Sequence, residues 1–258
     1  MSYISPNKIV YPGECCPALV TGNRCNVDSV EIIYGYLYNW YAATDARNIA
    51  ASGWHVPTRN DFDVLGIYLG GSFWGDGSYS GYYFGYDNID EALRSDNVDY
   101  WDTPTGTNTS GFNATGAGVR LAFWGYSEIT LTNLIWLSEV TLGAFVPDGT
   151  PMLFYMYDNY DGFIVAPGND SPEKNQGASI RLIKDTTTLT HGQEGTYTGN
   201  DGKVYRTICI GTQEWLADNL AETKFRTGDD IPEVTDNAVW AALTTAGMCA
   251  YNNDWSNV

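Results

Sequence analysis

Aromatic side chains crowd into one Gly- and Ser-rich stretch, residues 72–88 (SFWGDGSYSGYYFGYDN). The stretch has no hydrophobic periodicity, which predicts a loop. Loops rich in Tyr, Ser and Gly give a large contact area at low entropic cost, so this one is a candidate binding loop, with packing against the fold as the alternative. A second group of tyrosines is Tyr155, Tyr157 and Tyr160. Tyr155 and Tyr157 alternate along a predicted strand, which favours a packing role for these two residues. The candidate ligand-binding residues are Trp74, Tyr79, Tyr82, Tyr83, Tyr86 and Tyr160.

Oxygen-rich turns supply the candidate metal ligands. Asp158 and Asp161 lie in the sequence DNYDG, and the stretches 87–91 (DNIDE) and 228–230 (GDD) are similar. Carboxylate and carbonyl oxygens are the ligands that calcium prefers. Asp, Asn and Gly also favour solvated turns for backbone reasons alone, and we favour that interpretation. We therefore expect no cofactor, with Asp158 and Asp161 as the calcium candidates.

Residues typical of catalysis are few. The two histidines are His55, in a tight Trp-His-Val-Pro turn, and His191, in a polar stretch. Neither has a nucleophile or an orienting partner at an interpretable spacing, so we expect His55 to be a turn residue and not a general base. Nucleophile-elbow, zinc-protease, phosphate-loop and dinucleotide motifs are absent. We predict that the protein is not an enzyme. A glycosidase stays an alternative, because 31 acidic residues could supply its pair of carboxylates.

The charge of the chain argues against several classes of partner. Thirteen Lys and Arg stand against 31 Asp and Glu, a net charge of −18. Such a chain repels phosphate backbones and anionic lipid, which predicts no nucleic acid binding. The sequence has no long apolar run and no secretory signal, which predicts no membrane insertion. The cysteines lack disulfide or zinc spacing and are expected to be reduced; they are Cys15, Cys16, Cys25, Cys209 and Cys249.

The elements that position these residues are short. The strongest helix signal runs from Thr58, a candidate N-cap, to Leu69, just before two glycines, and shorter helices are predicted over 39–51 and 236–246. Strands are predicted at 119–124, 134–140, 152–157, 163–166, 179–184, 203–210 and after Gly211. Residues 186–200 are polar and indicate a linker. Two or three short helices, short antiparallel strands and long loops predict the α+β class.

Several motifs taken together resemble the Fibrobacter-type major paralogous domain (FISUMP), a family found mainly on surface proteins of Bacteroidetes and their relatives. The motifs are YGYLYNWYA (34–42), GWHVPT (53–58), LGG (69–71), residues 108–112, GVR (118–120), WLSE (136–139), SIRLIKD (179–185), DGKVY (201–205), IGTQEWLADNL (210–220), residues 228–232, TDNAVW (235–240) and YNND (251–254). The resemblance implies a C-type lectin-like fold, in which a small antiparallel sheet lies beneath long binding loops.

The resemblance also carries expectations for single residues. Four tryptophans in these motifs are expected in the core: Trp54, Trp136, Trp215 and Trp240. Arg120 and Arg181 are expected to tie loops to the sheet through carboxylates. The Glu-Pro-Asn, Gln-Pro-Asp and Trp-Asn-Asp triplets of calcium-dependent lectins are absent from the sequence. So are the paired catalytic cysteines of formylglycine-generating enzymes, which share that fold.

The order of the motifs is rotated relative to the family. Residues 201–258 resemble its first quarter, yet they follow the stretch 179–185, which resembles its last strand. Either 201–258 complete the domain formed by 34–185, as a circular permutation, or they complete a neighbouring subunit. We favour permutation, because the linker 186–200 is long enough and termini tend to lie near each other. Residues 1–33 have no counterpart in the resemblance and are a candidate attachment arm.

These observations favour a non-enzymatic structural or binding module displayed on a surface. The resembling family is found on exported proteins, whereas this sequence shows no secretory signal. This combination suggests a bacteriophage virion protein made in the host cytoplasm, such as a head or tail fibre or a decoration protein. Its expected partners are host surface polysaccharide or other virion proteins, in a homo-oligomer. The alternative is an envelope adhesin or carbohydrate-binding protein at a bacterial cell surface.

Overall fold

The computed structural model describes residues 33–75, 83–141, 147–168 and 174–258, and the structural statements below concern these residues. The predicted arm lies outside them except for Ile33. Tyr79, Tyr82 and three of the cysteines also lie outside them. The α-helices of the described residues are α1 (Trp40–Ala43), α2 (Arg59–Tyr68), α3 (Asp90–Leu93) and α4 (Asn237–Ala241), followed by 3-10 turns at Tyr251–Asn253 and Trp255–Asn257.

Strands make up most of the regular structure. They are β1 (Leu37–Tyr38), β2 (Trp54–His55), β3 (Ser72–Gly75), β4 (Phe84–Asp87), β5 (Ala117–Leu121), β6 (Gly125–Ile129), β7 (Thr132–Val140), β8 (Pro151–Tyr157), β9 (Gly162–Pro167), β10 (Ile183–Lys184), β11 (Glu194–Thr198), β12 (Val204–Ile210), β13 (Gln213–Leu216) and β14 (Met248–Cys249). This mixture of strands with a few short helices is compatible with the α+β class. Within the described residues, no helix has the length and apolar character needed to cross a bilayer.

Helix α2 confirms its predicted start and end. The backbone N–H of Thr58 donates to Asp61 Oδ2 at 2.7 Å, and the Thr58 hydroxyl oxygen accepts from Asp61 N. This reciprocal capping satisfies two N–H groups that the first turn leaves unpaired. At the other end Gly70 takes a positive φ of 76°, a conformation that lets the chain leave the helix without a Cβ clash.

The other two predicted helices are shorter than expected. The helix predicted over 39–51 is only α1, because the chain then enters a turn in which Asn48 has a positive φ of 62° and donates its N–H to Asp45 O at 2.8 Å. The helix predicted over 236–246 is only α4, and Asp236 is its N-cap as predicted.

The largest sheet has seven strands in the order β3-β4-β9-β8-β7-β5-β6. It is larger than the small sheet expected, and its β5–β7 pair is parallel, Gly118 opposite Asn133, in a sheet predicted to be antiparallel. The hairpin β3–β4 occupies both ends of the stretch 72–88, so the prediction of a loop is wrong there. Alternation does exist in β4, where Phe84 and Tyr86 face the core, but the intervening glycine hides it in the sequence.

A second sheet has five strands in the order β11-β12-β13-β10-β2. It pairs the strands of residues 194–216 with strands at 183–184 and 54–55. Trp215 of β13 pairs with Ile183 of β10, and in a separate two-stranded sheet Leu37 of β1 pairs with Cys249 of β14. Residues 201–258 thus pack with the preceding part of the same chain. The stretch predicted as a linker contains β11, paired along its length with β12, because its threonines favour strands despite their polarity.

The two faces of the seven-stranded sheet bury different clusters. One face lies beneath α2, where Phe62 stacks on Phe154 with ring centroids 4.5 Å apart. The opposite face packs Trp136 and Leu153 against the rest of the fold. The four tryptophans predicted as core residues are confirmed as buried, with exposed fractions of 7% for Trp54, 1% for Trp136 and 0% for Trp215 and Trp240.

Arg120 and Arg181 do tie loops to the sheet, but the prediction of carboxylate partners is wrong. Arg120 donates to Val234 O at 2.6 Å, and Arg181 donates to Asn219 Oδ1 at 2.7 Å. Both side chains are fully buried, and burial lowers the pKa of Arg181 to about 9. Neutral oxygens suit these positions because the guanidinium fork reaches several backbone carbonyls at once.

Candidate functional site: an aromatic face on the large sheet

The register of the seven-stranded sheet brings distant aromatic residues into one row. Trp74 of β3 pairs with Gly85 of β4, Gly85 pairs with Ile164 of β9, and Ile164 pairs with Tyr155 of β8. Residues opposite each other in neighbouring strands point to the same face of a sheet. Four strands therefore present Trp74, Ile164 and Tyr155 side by side, with Gly85 between them.

Gly85 lets the indole of Trp74 lie on the sheet. A Cβ at Gly85 would stand 2.6 Å from Trp74 Cζ2 and 2.4 Å from the carbonyl oxygen of Phe163, closer than any real side chain sits. Only glycine leaves room for both the ring and the neighbouring strand. The ring of Trp74 therefore lies over Gly85 and stays partly exposed instead of being buried in the core.

Asp87 fixes two of these aromatic residues. Trp74 Nε1 donates to Asp87 Oδ1 at 3.0 Å, and the Tyr160 hydroxyl donates to the same oxygen at 2.5 Å. Burial, together with this bond to a carboxylate, raises the pKa of Tyr160 to about 12, so its hydroxyl keeps its proton at neutral pH. Within the described residues no hydrogen bond reaches Asp87 Oδ2, the second oxygen.

Further tyrosines extend the surface along the strands. Tyr155 and Tyr157 alternate on β8 with nearly parallel rings, their centroids 6.0 Å apart. Tyr83 lies two residues before Gly85 and packs against the same cluster. Tyr83, Tyr157 and Tyr160 are partly exposed, whereas Tyr155 is buried. We name this surface the aromatic face; its residues are Trp74, Tyr83, Tyr155, Tyr157, Tyr160 and Ile164.

The predicted binding residues separate into three groups. Trp74, Tyr83 and Tyr160 meet on the aromatic face, although Tyr160 comes from a distant part of the sequence. Tyr86 points to the opposite face, where it is 2% exposed and its hydroxyl donates to Asp63 Oδ1 at 2.6 Å. Its placement among candidate surface residues is corrected, since strand alternation turns it into the core. Tyr79 and Tyr82 lie outside the described residues.

The two calcium candidates have protein partners. Asp158 accepts hydrogen bonds from Thr103 N at 2.8 Å and from the Thr103 hydroxyl at 2.7 Å. Arg94 Nη1 lies 3.7 Å from Asp158 Oδ1, so a guanidinium supplies the positive charge here. Asp161 shares a hydrogen bond with Asp90, and burial together with this bond raises the pKa of Asp90 to about 6. In the parts of the chain that the structure describes, no group of three or more His, Cys, Asp or Glu side chains has a metal-binding arrangement.

Both histidines have partners of a structural kind. His55 Nδ1 lies 2.6 Å from Asp185 Oδ1, and His55 Nε2 lies 3.4 Å from Asp61 Oδ2. Hydrogen bonding to these carboxylates raises the pKa of His55. His191 lies against Tyr68, with ring centroids 5.0 Å apart. His55 thus links Asp185, which directly follows β10, to Asp61 in the first turn of α2.

One exposed aromatic pair is not predicted by the sequence pattern. Phe123 and Trp124, which the sequence pattern places in a strand, form the turn between β5 and β6 and are 67% and 85% exposed. The following Gly125, with a positive φ of 79°, is the signal that could have marked the turn. No hydrogen bond of these two side chains occurs in the described residues, in contrast to the fixed ring of Trp74.

Comparisons with known proteins give one match. The model of the Fibrobacter succinogenes major domain matches residues 19–184, which is more than half of the chain. The match begins at residue 19, inside the predicted arm 1–33, and the boundary of the arm stays a prediction. Residues 201–258 lie outside the match, and the proposed rotation stays a prediction. No curated protein and no solved structure gives a significant match. The predicted resemblance is confirmed: the chain belongs to the Fibrobacter succinogenes major domain family.

Proposed function

We propose that this protein is a non-enzymatic binding module that contacts glycans through the aromatic face. The observation that carries the proposal is the convergence of Trp74 and Tyr160 on one oxygen of Asp87. A sugar ring offers an apolar face of C–H groups and a rim of hydroxyls. Fixed aromatic rings suit the first, and a carboxylate oxygen with a spare acceptor position suits the second.

Preorganisation supports a binding role for this surface. Trp74 and Asp87 lie on paired strands, and the hydrogen bond between them fixes the indole before any ligand arrives. A side chain that is already ordered loses little conformational entropy on binding. Sites built on strands are also held more rigidly than sites on loops. The surface therefore has the rigidity and the mixed chemistry that carbohydrate contact needs.

The finer aspects of the proposal rest on the sequence. We propose a C-type lectin-like fold, in line with the motifs that resemble this family, and a homo-oligomer as the assembled form. The proposed setting is a bacteriophage virion, as a fibre or decoration protein, with a bacterial envelope adhesin as the alternative. Detecting the protein in purified particles, or instead in an outer-membrane fraction free of phage, distinguishes these settings.

The test is binding of the purified protein to intact Bacteroidetes cells and to their extracted surface polysaccharides. Saturable binding is expected, and Trp74→Ala should weaken it by about tenfold or more, as for an aromatic hot spot. Trp124→Ala removes the same ring from an exposed turn and is the matched control, expected to bind like the wild type. EDTA should have no effect, since a guanidinium lies among the candidate calcium ligands.

Three outcomes would contradict the proposal. Absence of binding to every cell and polysaccharide would leave a structural role. Loss of binding in Trp124→Ala with retention in Trp74→Ala would move the site to the β5–β6 turn. Turnover of a bound polysaccharide would identify an enzyme. Circular dichroism of each variant checks that the fold is retained.

A further inference from the structure

We infer that the aromatic face selects uncharged sugars and rejects acidic ones such as uronic acids. This inference rests on the proposed function and names the class of ligand for the same site. It starts from Asp87, whose Oδ1 accepts two hydrogen bonds while Oδ2 accepts none within the described residues. A carboxylate oxygen that no protein group bonds, beside two aromatic side chains, is available to a donor from a ligand, and a sugar hydroxyl is such a donor.

Several carboxylates lie close to the aromatic face. Asp161 is exposed beside Tyr160, and Asp158 is partly exposed in the same turn. Glu128 is exposed, and its charge contributes to the raised pKa of Tyr157, whose main cause is burial. An anionic ligand at this surface would therefore approach Asp87 in a region where other carboxylates lie nearby.

Arg94, a cation next to this surface, already has partners. Arg94 is 1% exposed and lies below the turn that carries Tyr160. Its guanidinium donates to the carbonyl oxygens of Tyr157 and Tyr160 at 2.5 and 3.1 Å, and its Nη2 lies 3.3 Å from Asp90 Oδ2. A buried guanidinium with these partners cannot turn outward to pair with a ligand carboxylate.

The physical consequence is discrimination by charge. A uronic acid carboxylate brought within hydrogen-bond distance of Asp87 would face a like charge without a donor between them, which is unfavourable at a partly desolvated site. A neutral hexose has hydroxyls that donate to Asp87 Oδ2 instead. The net charge of −18 adds long-range repulsion of polyanions, and salt screens that part.

Asp87→Asn tests the role of Asp87 Oδ2 separately from the role of Oδ1. The amide oxygen still accepts from Trp74 and Tyr160, so the rings stay in place. The amide nitrogen replaces the free acceptor with a donor and removes the charge. Asp96→Asn is the matched control, because Asp96 is exposed and no hydrogen bond of its carboxylate occurs in the described residues.

The experiment measures binding of the full chain to neutral polysaccharides (dextran, galactan, mannan) and to acidic ones (alginate, polygalacturonate) at low and at physiological salt. We expect at least one neutral polymer to bind about tenfold or more tightly than either acidic polymer at both salt concentrations. Asp87→Asn should weaken neutral binding and reduce the discrimination, whereas Asp96→Asn should leave both unchanged.

The outcomes separate this inference from the proposed function. Acidic polymers that bind as well as neutral ones, with Trp74→Ala still abolishing binding, would overturn the inference and leave the glycan-binding proposal standing. Discrimination that survives in Asp87→Asn would overturn the role of the free oxygen. Binding to none of the polymers, and to no cell surface, would overturn both.

Discussion

The ring of Tyr86 fills the space that a side chain at position 66 would need. A Cβ on Gly66 would lie 2.3 Å from Tyr86 Cδ2, so the backbone of α2 rests directly on the ring. The Tyr86 hydroxyl in turn donates to Asp63, one turn earlier in the helix, at 2.6 Å. The helix and the hairpin that carries Trp74 are thereby held together by one aromatic residue.

Gly66→Ala should destabilise the protein by about 1–3 kcal/mol, the usual cost of overpacking a core. The added methyl group meets the root of a buried ring that cannot swing away, and this outweighs the gain of about 1 kcal/mol in helix propensity. Denaturant unfolding measures the change. Ile67→Ala, at a neighbouring position that is 62% exposed, is the control and should change stability by less than about 0.5 kcal/mol. Equal effects of the two variants would contradict the close packing.

Stability should fall as the pH rises from about 4.5 to about 7. Burial, with the nearby charge of Asp201, raises the pKa of Glu222 from 4.5 to about 7. In this window the folded state keeps a proton that the unfolded state has released, so rising pH favours unfolding, by at most about 1.4 kcal/mol per pH unit.

Glu222→Gln tests this pH dependence. The variant loses stability at every pH, because an amide group faces backbone N–H donors, including Asp201 N at 2.9 Å. The informative quantity is the slope of the unfolding free energy against pH, which should become flatter. The exposed Glu233→Gln should keep the wild-type slope. An unchanged slope in Glu222→Gln would assign the pH dependence to other groups.

His55 should stabilise the fold in acid more than in base. Its pKa is raised, first by hydrogen bonding to Asp61, so its extra stability is complete below its ordinary value of 6.5 and is lost as the pH rises through the raised value. The side chain is 37% exposed, so solvent screening limits the effect to less than about 1 kcal/mol. His55→Gln should cost more at pH 6 than at pH 9 in thermal unfolding. A cost that is the same at both pH values would mean that the imidazolium charge has no role.

Arg120→Lys should destabilise the protein by about 2–3 kcal/mol, since a lysine cannot reach the same set of acceptors. Arg120 bonds Val234 O and Asn237 Oδ1 and lies over Trp240 at 4.2 Å. Arg47→Lys makes the same change at a partly exposed guanidinium that bonds Asp45, and it should cost much less because solvent screens that pair. Urea unfolding compares the two, and a neutral Arg120→Lys would show that the guanidinium geometry is not needed.

A chain that ends at residue 200 should not fold. Strands β12 and β13 would be missing, and with them the buried Ile208, Ile210 and Trp215. Adding the separate segment 201–258 should restore near-ultraviolet circular dichroism and cooperative unfolding. A folded, cooperative 1–200 chain would contradict the interdependence of the two parts.

The sequence predicts best where a local signal agrees with the tertiary structure. Thr58 and Gly70 bound α2 because capping chemistry acts within a few residues. The family motifs place Trp136 and Trp215 in the core, and both lie on paired strands whose faces pack into a hydrophobic cluster.

Other features depend on contacts between distant parts of the chain. The β3–β4 hairpin is not recognisable in the sequence, because Gly85 interrupts the alternation of apolar and polar residues. The need for glycine at this position is explained only by the ring of Trp74, which lies over it. Tyr160 joins the aromatic face through Asp87, 73 positions away. The sequence predicts Trp74, Tyr83 and Tyr160 as candidates one by one, but no sequence period shows that they share one surface, and that is visible only in the structure.

The pairing of Leu37 with Cys249 bears on how the protein folds. These residues are 212 positions apart, so the pairing of their strands closes a loop that contains most of the chain. Closing so long a loop costs chain entropy before any native contact compensates for it, which places the protein among slow folders. Until the closure occurs, β-rich segments with unpaired edges stay available to other chains. We therefore expect refolding to be slow, and its yield to fall with rising protein concentration through aggregation.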